Sequence, residues 1–256
     1  MVQFFVPPSD VDLREGRAYI KGSELHHLAH TLRKRKGDRI KIFTANGLVY
    51  NVEIMDINKN VATCRIIEEI TFNNQRKVII ALYQAILKPM KMDFVIQKAT
   101  ELGINNITPL VTHHTIAKIH DIEKKVHRWE KIILSAVKQS ELHFIPKITP
   151  PMHFNKAIDL VAAQDALMMG EKAKILNLLF HEKYGDRVSA AFTKISISDI
   201  GFVNIFIGPE GGFSEEEVLS AKERNFVILN LGSNVLRSET ASIVAVSLVL
   251  FLTKEI

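Results

Sequence analysis

The stretch VNIFIGPEGGFSEEE, residues 203–217, decides the fold class. Val203–Ile207, apolar apart from Asn204, reads as a short buried strand. Ser214 followed three positions later by Glu217 has capping-box spacing and marks the start of a helix. Between them lie Gly208, Pro209, Glu210, Gly211 and Gly212. Proline stiffens this loop, and the glycines strip away side chains so that backbone N–H and C=O groups can approach a ligand. A loop of this kind at the carboxyl end of a buried strand is where open α/β sheets bind ligands. The same residues also suit a plain strand-to-helix turn. No Gly-Lys-Ser/Thr follows, which excludes a phosphate-binding P-loop, and the dinucleotide pattern Gly-x-Gly-x-x-Gly is absent.

Downstream the arrangement repeats. Phe226–Leu231 reads as a strand, and LGSNVLRSETA (residues 231–241) carries it into an apolar helix over residues 240–252. Ser238 suits the helix cap and Glu239 the first turn, where a carboxylate complements the helix dipole. Arg237 and Glu239 are then either cap residues or members of a cleft beside the first glycine loop. Two such loops on consecutive strands favour the cleft.

Upstream, Val78–Ile86 is a continuous apolar run, Lys91–Leu102 reads as a helix stopped by Gly103, and Ile107–Val111 is a second strand. Ile122–Val137 is an amphipathic helix with Ile122, Val126, Trp129, Ile133 and Val137 on one face. A strand is expected over Ala166–Met169, a helix over Ala173–Phe180, a strand over Val203–Ile207 and a helix over Glu215–Arg224. This alternation gives an α/β domain with a mostly parallel sheet over residues 73–256. Residues 1–72 read differently. Phe4–Val6, Arg39–Phe43, Val49–Ile54 and Val61–Ile67 are short strand patterns separated by turn signals, with one helix at Ser23–Leu32, which suggests a small β-barrel.

Lys plus Arg number 33 against 28 Asp plus Glu, a mildly basic balance that permits a polyanionic partner without demanding one. The basic residues cluster. Arg33, Lys34, Arg35, Lys36, Arg39 and Lys41 face only Asp38 between Leu28 and Lys41. Such a run is either a solvated face or a set of phosphate contacts. The single cysteine, Cys64, excludes an internal disulfide and a four-cysteine zinc site, and fits a reducing compartment. No signal-peptide pattern opens the chain, and its longest apolar stretch falls short of the roughly 20 residues a membrane helix needs. A soluble, cytoplasmic protein is expected. His26, His27, His30, His113, His114 and His120 form no zinc-ligand pattern, so no metal is expected. Cys64 and Trp129 are read as core residues.

Five ordered blocks carry a resemblance: HLAHTLRKRKGD (27–38), KMDFVIQKATELGINNITPL (91–110), RWEKIILSAVKQS (128–140), IGPEGGFSEEEV (207–218) and LGSNVLRSETA (231–241). Together they resemble the ribosomal RNA uridine-N3 methyltransferases, the RsmE family of the SPOUT superfamily. The resemblance implies a PUA-like RNA-binding barrel followed by a SPOUT α/β domain with a deep trefoil knot, a topology that ordinary chain-connection rules would never suggest. It implies S-adenosyl-L-methionine as cofactor, a homodimer through the knot domain, and 16S rRNA of the small ribosomal subunit as partner. The cofactor is then expected against Leu167, Met168 and Met169, against Ile207, Gly208, Pro209, Glu210, Gly211 and Gly212, and against Leu231, Gly232, Asn234, Val235, Leu236, Thr240 and Ala241. Met168 and Met169 suit core packing equally well. The resemblance turns the basic run Arg33, Lys34, Arg35, Lys36 and Arg39 towards phosphate contacts, with Lys88 and Lys91 extending it.

Three positions depart from the family pattern. Glu141-Leu142 stands where Gly-Arg is usual, Val2-Gln3-Phe4 where the N-terminal cations are usual, and Gly170-Glu171-Lys172-Ala173 lacks the histidine of a His-Glu-Glu-Ala stretch.

The chemistry of N3 methylation then assigns roles. Uridine N3 is a weak acid whose lone pair becomes nucleophilic when its proton leaves, and a fixed cation beside O2 or O4 favours that anion. Arg237 is the candidate cation; Glu239 or Glu210 accepts the proton or orients the arginine. Because N3 takes part in base pairing, the target has to be single-stranded or extruded. A related knotted enzyme acting on a ribose 2′-hydroxyl, and a non-catalytic RNA-binding assembly factor, are the competing readings.

Overall fold

The computed structural model describes residues 3–71, 77–116, 121–167, 173–193 and 199–256. The chain divides into two compact units, Met1–Gln75 with Leu134–Ile145, and Arg76–Ile133 with Pro146–Ile256.

The first unit is built on six strands: β1 (Gln3–Phe5), β2 (Val11–Asp12), β3 (Arg17–Lys21), β4 (Arg39–Phe43), β5 (Val49–Ile57) and β6 (Val61–Ile70). They pair in the order β1-β4-β5-β6-β3-β2. Period-2 alternation makes the sheet one-sided: in β4, Ile40 and Ile42 are buried while Arg39 is exposed. Register shifts at Asn51/Val52 and Ile54/Asp56 bend the β5–β6 ribbon around a core that includes Phe4, Ile20, Ile42 and Val52. Helix α1 (Gly22–His26) continues as a π-type turn over His27–Thr31 and adds Leu25 and Leu28 to that core. The strands β2 and β3 go beyond the four read from the sequence; in Arg17–Lys21 the two inward residues, Ala18 and Ile20, are too few to announce a strand.

Cys64 is fully buried in β6, and burial pushes its thiol up to about 12, so it is inert core. Two positions where the sequence departs from the family meet in space. The Gln3 amide donates to the Leu142 carbonyl at 3.3 Å, and Glu141 holds Lys41 at 3.3 Å. Lys41 is thus committed to a carboxylate. The neighbouring loop is pinned by its backbone, with the Lys34 N–H on the Leu28 carbonyl and the Gly37 N–H on the Ile54 carbonyl. This leaves Arg33, Arg35, Lys36 and Arg39 exposed.

The second unit is a parallel sheet in the order β10-β8-β7-β13-β11-β14-β12, with β9 beside β8. Its strands are β7 (Ile79–Ala85), β8 (Asn106–Val111), β9 (Lys147–Ile148), β10 (Met152–His153), β11 (Lys174–Phe180), β12 (Asp186–Arg187), β13 (Ile200–Ile207) and β14 (Val227–Asn230). Its helices are α2 (Pro89–Glu101), α3 (Ile122–Ser140), α4 (Phe154–Leu167), α5 (Val188–Phe192), α6 (Glu215–Glu223) and α7 (Ser238–Leu252); the residues of α3 from Leu134 onward belong to the first unit. Phe154, Ala157, Ile158 and Val161 of α4 bury against Leu179, Phe206 and Phe213. Trp129 is buried, as read.

Two sequence expectations fail here. Ala166 and Leu167 of the expected strand Ala166–Met169 are helical and complete α4, while Met168 and Met169 lie outside the described residues. The expected helix Ala173–Phe180 is the strand β11, paired in parallel on both sides, with Phe180 in register with Ile207 and Leu229. Its apolar residues sit at spacings that fit either structure, and burial between two strands decides for the extended one.

After β14 the chain passes the end of β11 and returns to the other half of the sheet, where α7 packs on β13 and α2. A trefoil knot requires a return of this kind. Among the described residues no helix is long and apolar enough to cross a membrane.

Candidate active site

Three adjacent parallel strands end side by side at Phe180, Ile207 and Asn230. The loops leaving them enclose a cavity of about 310 Å³. Both glycine loops singled out in the sequence line it: Ile207, Gly208, Pro209, Glu210, Gly211 and Gly212 from one, and Leu231, Gly232, Asn234, Val235 and Leu236 from the other, with Arg237 and Ala241. Thr240 and Glu239 do not line it.

Leu167, expected here at a strand end, is instead the exposed last residue of α4 and is not part of the cavity wall. Met168 and Met169 lie outside the described residues. The third wall comes from the end of β11, Phe180-His181-Glu182. The His-Glu pair sought at residues 170–173 therefore stands at His181-Glu182. A strand end followed by His-Glu was the available signal, hidden by the helical reading of β11.

The first glycine loop is locked on every side. Its turn closes by the Gly212 N–H donating to the Pro209 carbonyl at 2.9 Å, with Gly212 at φ +71°. A Cβ on Gly208 would come within 3.0 Å of the Gly212 carbonyl carbon, and one on Gly212 within 2.8 Å of the Glu182 carboxylate. Ser214 and Glu217 form the capping box read from the sequence, and the second Glu217 oxygen accepts from the His113 N–H at 2.9 Å. His181 is the clip. Its Nδ1 accepts from the Lys183 and Tyr184 N–H groups at 3.0 and 3.2 Å, so the ring proton sits on Nε2, which donates to the Phe213 carbonyl at 3.3 Å.

Ser238 does not cap α7; Arg237 holds the N-cap position without a side-chain cap bond. The buried Ser238 hydroxyl instead donates to the Gly208 carbonyl at 2.5 Å and accepts from the Gln84 amide at 3.2 Å. Ser242, also buried, donates to the other end of Gln84. One buried network thus ties the last helix to β7 and to the glycine loop, and a satisfied buried network fixes geometry.

The charged residues divide into two groups. Lys91, at the start of α2, donates to Glu210 Oε1 at 3.1 Å and lies 3.5 Å from Glu239 Oε2. The hydrogen bond to Glu210 raises the Lys91 ammonium. Burial works to raise the Glu210 carboxyl, but its own backbone N–H, Lys91 and Lys88 outweigh it and the net shift is downward. Both candidate carboxylates are thus tied to Lys91, and neither orients Arg237. Lys91, expected among the RNA cations, is engaged inside the site. Arg237 is exposed on the cavity wall with no carboxylate within ion-pair distance among the described residues. Among those residues no group of three or more His, Cys, Asp or Glu could hold a metal ion.

The cavity suits S-adenosylmethionine. Apolar Phe180, Leu231, Leu236 and Ala241 can cover an adenine, and the side-chain-free edges of Gly208 and Gly211 expose backbone polar groups.

Residues 74–250 match the RNA methyltransferase domain family, and residues 20–67 match the RNA methyltransferase PUA domain family. Ribosomal RNA small subunit methyltransferase E of Buchnera aphidicola is 31% identical over 93% of this chain and 88% of its own. The protein of that name from Bacillus subtilis is 27% identical over 99% and 98%. Among solved structures, ribosomal RNA small subunit methyltransferase E from Neisseria gonorrhoeae bound to S-adenosyl methionine superposes with a TM-score of 0.83, at 27% identity over 98% of each chain. The putative methyltransferase Lpg2936 from Legionella pneumophila, in complex with bound SAM, gives 0.81 at 28% identity over 98% of this chain and 97% of its own.

Proposed function

Since the chain belongs to the ribosomal RNA small subunit methyltransferase E family, we propose that it methylates N3 of one uridine in the 16S rRNA of the small ribosomal subunit. It is an S-adenosylmethionine-dependent rRNA methyltransferase. The observation that carries the N3 reading is the three-loop cavity whose wall bears Arg237, which has no carboxylate within ion-pair distance among the described residues.

When bound, S-adenosylmethionine supplies an electrophilic methyl group on a sulfonium. The protein's residues do the rest. The loops after β11, β13 and β14 hold the cofactor between apolar side chains and backbone polar groups. Arg237 stabilises the imidate that forms when N3 loses its proton, by pairing with O2 or O4. Glu210 lines the cavity and spends only Oε1 on Lys91, so Oε2 is placed to accept the N3–H and to orient the ring. Glu239 faces Lys91 rather than the cavity and acts through it. The lowered Glu210 carboxyl keeps this acceptor ionised at neutral pH.

RNA affinity is assigned to Arg33, Lys34, Arg35, Lys36 and Arg39 on the first unit, with Lys88 on the second. A second copy is expected to cover the open face of α7, where Phe251 is 68% exposed beside partly buried Leu248 and Val244. Two measurements test the reading. Small subunits lacking the modification are incubated with the protein and labelled cofactor, and nuclease digestion with mass spectrometry locates the methyl. Methyl on N3 is the expected result; methyl on a ribose, or none, overturns it. Light scattering tests the dimer.

A further inference from the structure

We propose that a second cleft, sharing Glu210 with the cofactor cavity, receives the acceptor nucleotide of the RNA. The inference rests on the methyltransferase reading and adds the place of the substrate. The cofactor cavity, at about 310 Å³, has room for one small ligand. The acceptor base therefore needs its own space alongside. Glu210 also lines a cleft of about 520 Å³ between the start of α2 and the first half of α3. Its floor is apolar, with Leu87, Met92 and Trp129 all buried. Lys88 on its rim is exposed and has no carboxylate within ion-pair distance among the described residues, while Arg128 pairs with Asp93.

An apolar floor, a cationic rim and a hydrogen-bonding end wall match the three parts of a nucleotide. The base lies on the floor and the phosphate meets Lys88 and Arg128. The end wall is chemically selective. Uracil presents O4, N3–H and O2 as acceptor, donor, acceptor. Glu210 accepts the donor, and the Lys91 ammonium, with three N–H groups, serves a flanking carbonyl. Cytosine would turn an unprotonated N3 towards the carboxylate and leave both unpaired, which is a strong basis for rejection.

The test uses the full-length protein, S-adenosylhomocysteine and an RNA fragment carrying 5-iodouridine at the position the enzyme methylates. Ring carbon C5 lies away from the N3 edge, so irradiation is expected to give adducts on Met92 or Trp129. Adducts confined to residues 207–213, 231–237 or 33–39 would overturn the assignment. Trp129 is the only tryptophan of the chain, so quenching of its emission by the RNA reports occupancy of the cleft directly. Lys88→Glu is expected to raise the KM for RNA about tenfold with S-adenosylmethionine affinity unchanged by calorimetry. An unchanged KM refutes the cleft. Failure of the wild-type protein to bind S-adenosylmethionine would instead refute the methyltransferase reading, so the two failures are told apart.

Discussion

The two glycine loops of the cavity were alike in sequence and differ in how they are held. Residues 208–214 are fixed by a turn bond, a capping box, the His181 clip and the Ser238 hydroxyl. Residues 231–237 are anchored near their ends. The Gly232 N–H donates to the Asn230 side chain at 2.7 Å, nothing lies within 4 Å of a Cβ built on Gly232, and Val235 is 78% exposed. A wall with its own contacts is preorganised. A wall without them gains its contacts from the ligand, and so it is the side that responds to binding.

The largest expected effect tests the charge of the open loop, Arg237. Arg237→Ala is expected to lower kcat by about 10²–10³, the usual loss for a group that stabilises transition-state charge, while S-adenosylmethionine affinity changes by no more than a few-fold. Single-turnover methylation with calorimetry on the same variant separates the two. Next, Ser238→Ala strands the buried Gly208 carbonyl and is expected to cost about 1–3 kcal/mol in urea unfolding.

Gly212→Ala forces a left-handed residue and displaces Glu182; about 1–2 kcal/mol of stability is expected to go, with weaker cofactor binding. Its counterpart Val235→Ser should leave stability within about 0.5 kcal/mol and weaken only the cofactor. Equal thermal shifts for the two would erase the distinction between the loops.

The smallest effect is on pH dependence. The lowered Glu210 carboxyl contributes above the ordinary carboxylate value of 4.5 and loses its contribution as pH falls through its lowered value. The raised Lys91 ammonium contributes below 10.5 and loses its contribution as pH rises through its raised value. The pair is therefore intact across neutral pH. In Lys91→Met the acid limb of kcat/KM should move to higher pH, because the main force lowering Glu210 through its side chain is gone.

Much of this site was legible because its chemistry lies in local patterns. A buried strand, side-chain-free residues and a capping box are contiguous in 203–217, and the same holds for 226–241. The third wall was missed for a physical reason. In β11, Ile175, Leu178 and Leu179 fall at helical spacing, and only pairing with β13 and β14, both distant in sequence, makes the segment extended. The bond of Ser238 and the pairing of Lys91 were likewise hidden. A serine at the start of a helix reads as a cap, and nothing local to Lys91 announces a carboxylate partner. Their partners, Gly208 and Glu210, are brought to them only by the fold.

The return of the chain past β11 bears on biosynthesis. Translation delivers β11, β13 and β14 before α7, yet α7 supplies both Ser238 and the strut to Gln84 that sets the glycine loop. A nascent chain still missing its last helix has three strand ends and no finished cavity. The cavity wall is therefore complete only when residues translated after β14 have packed back onto the glycine loop.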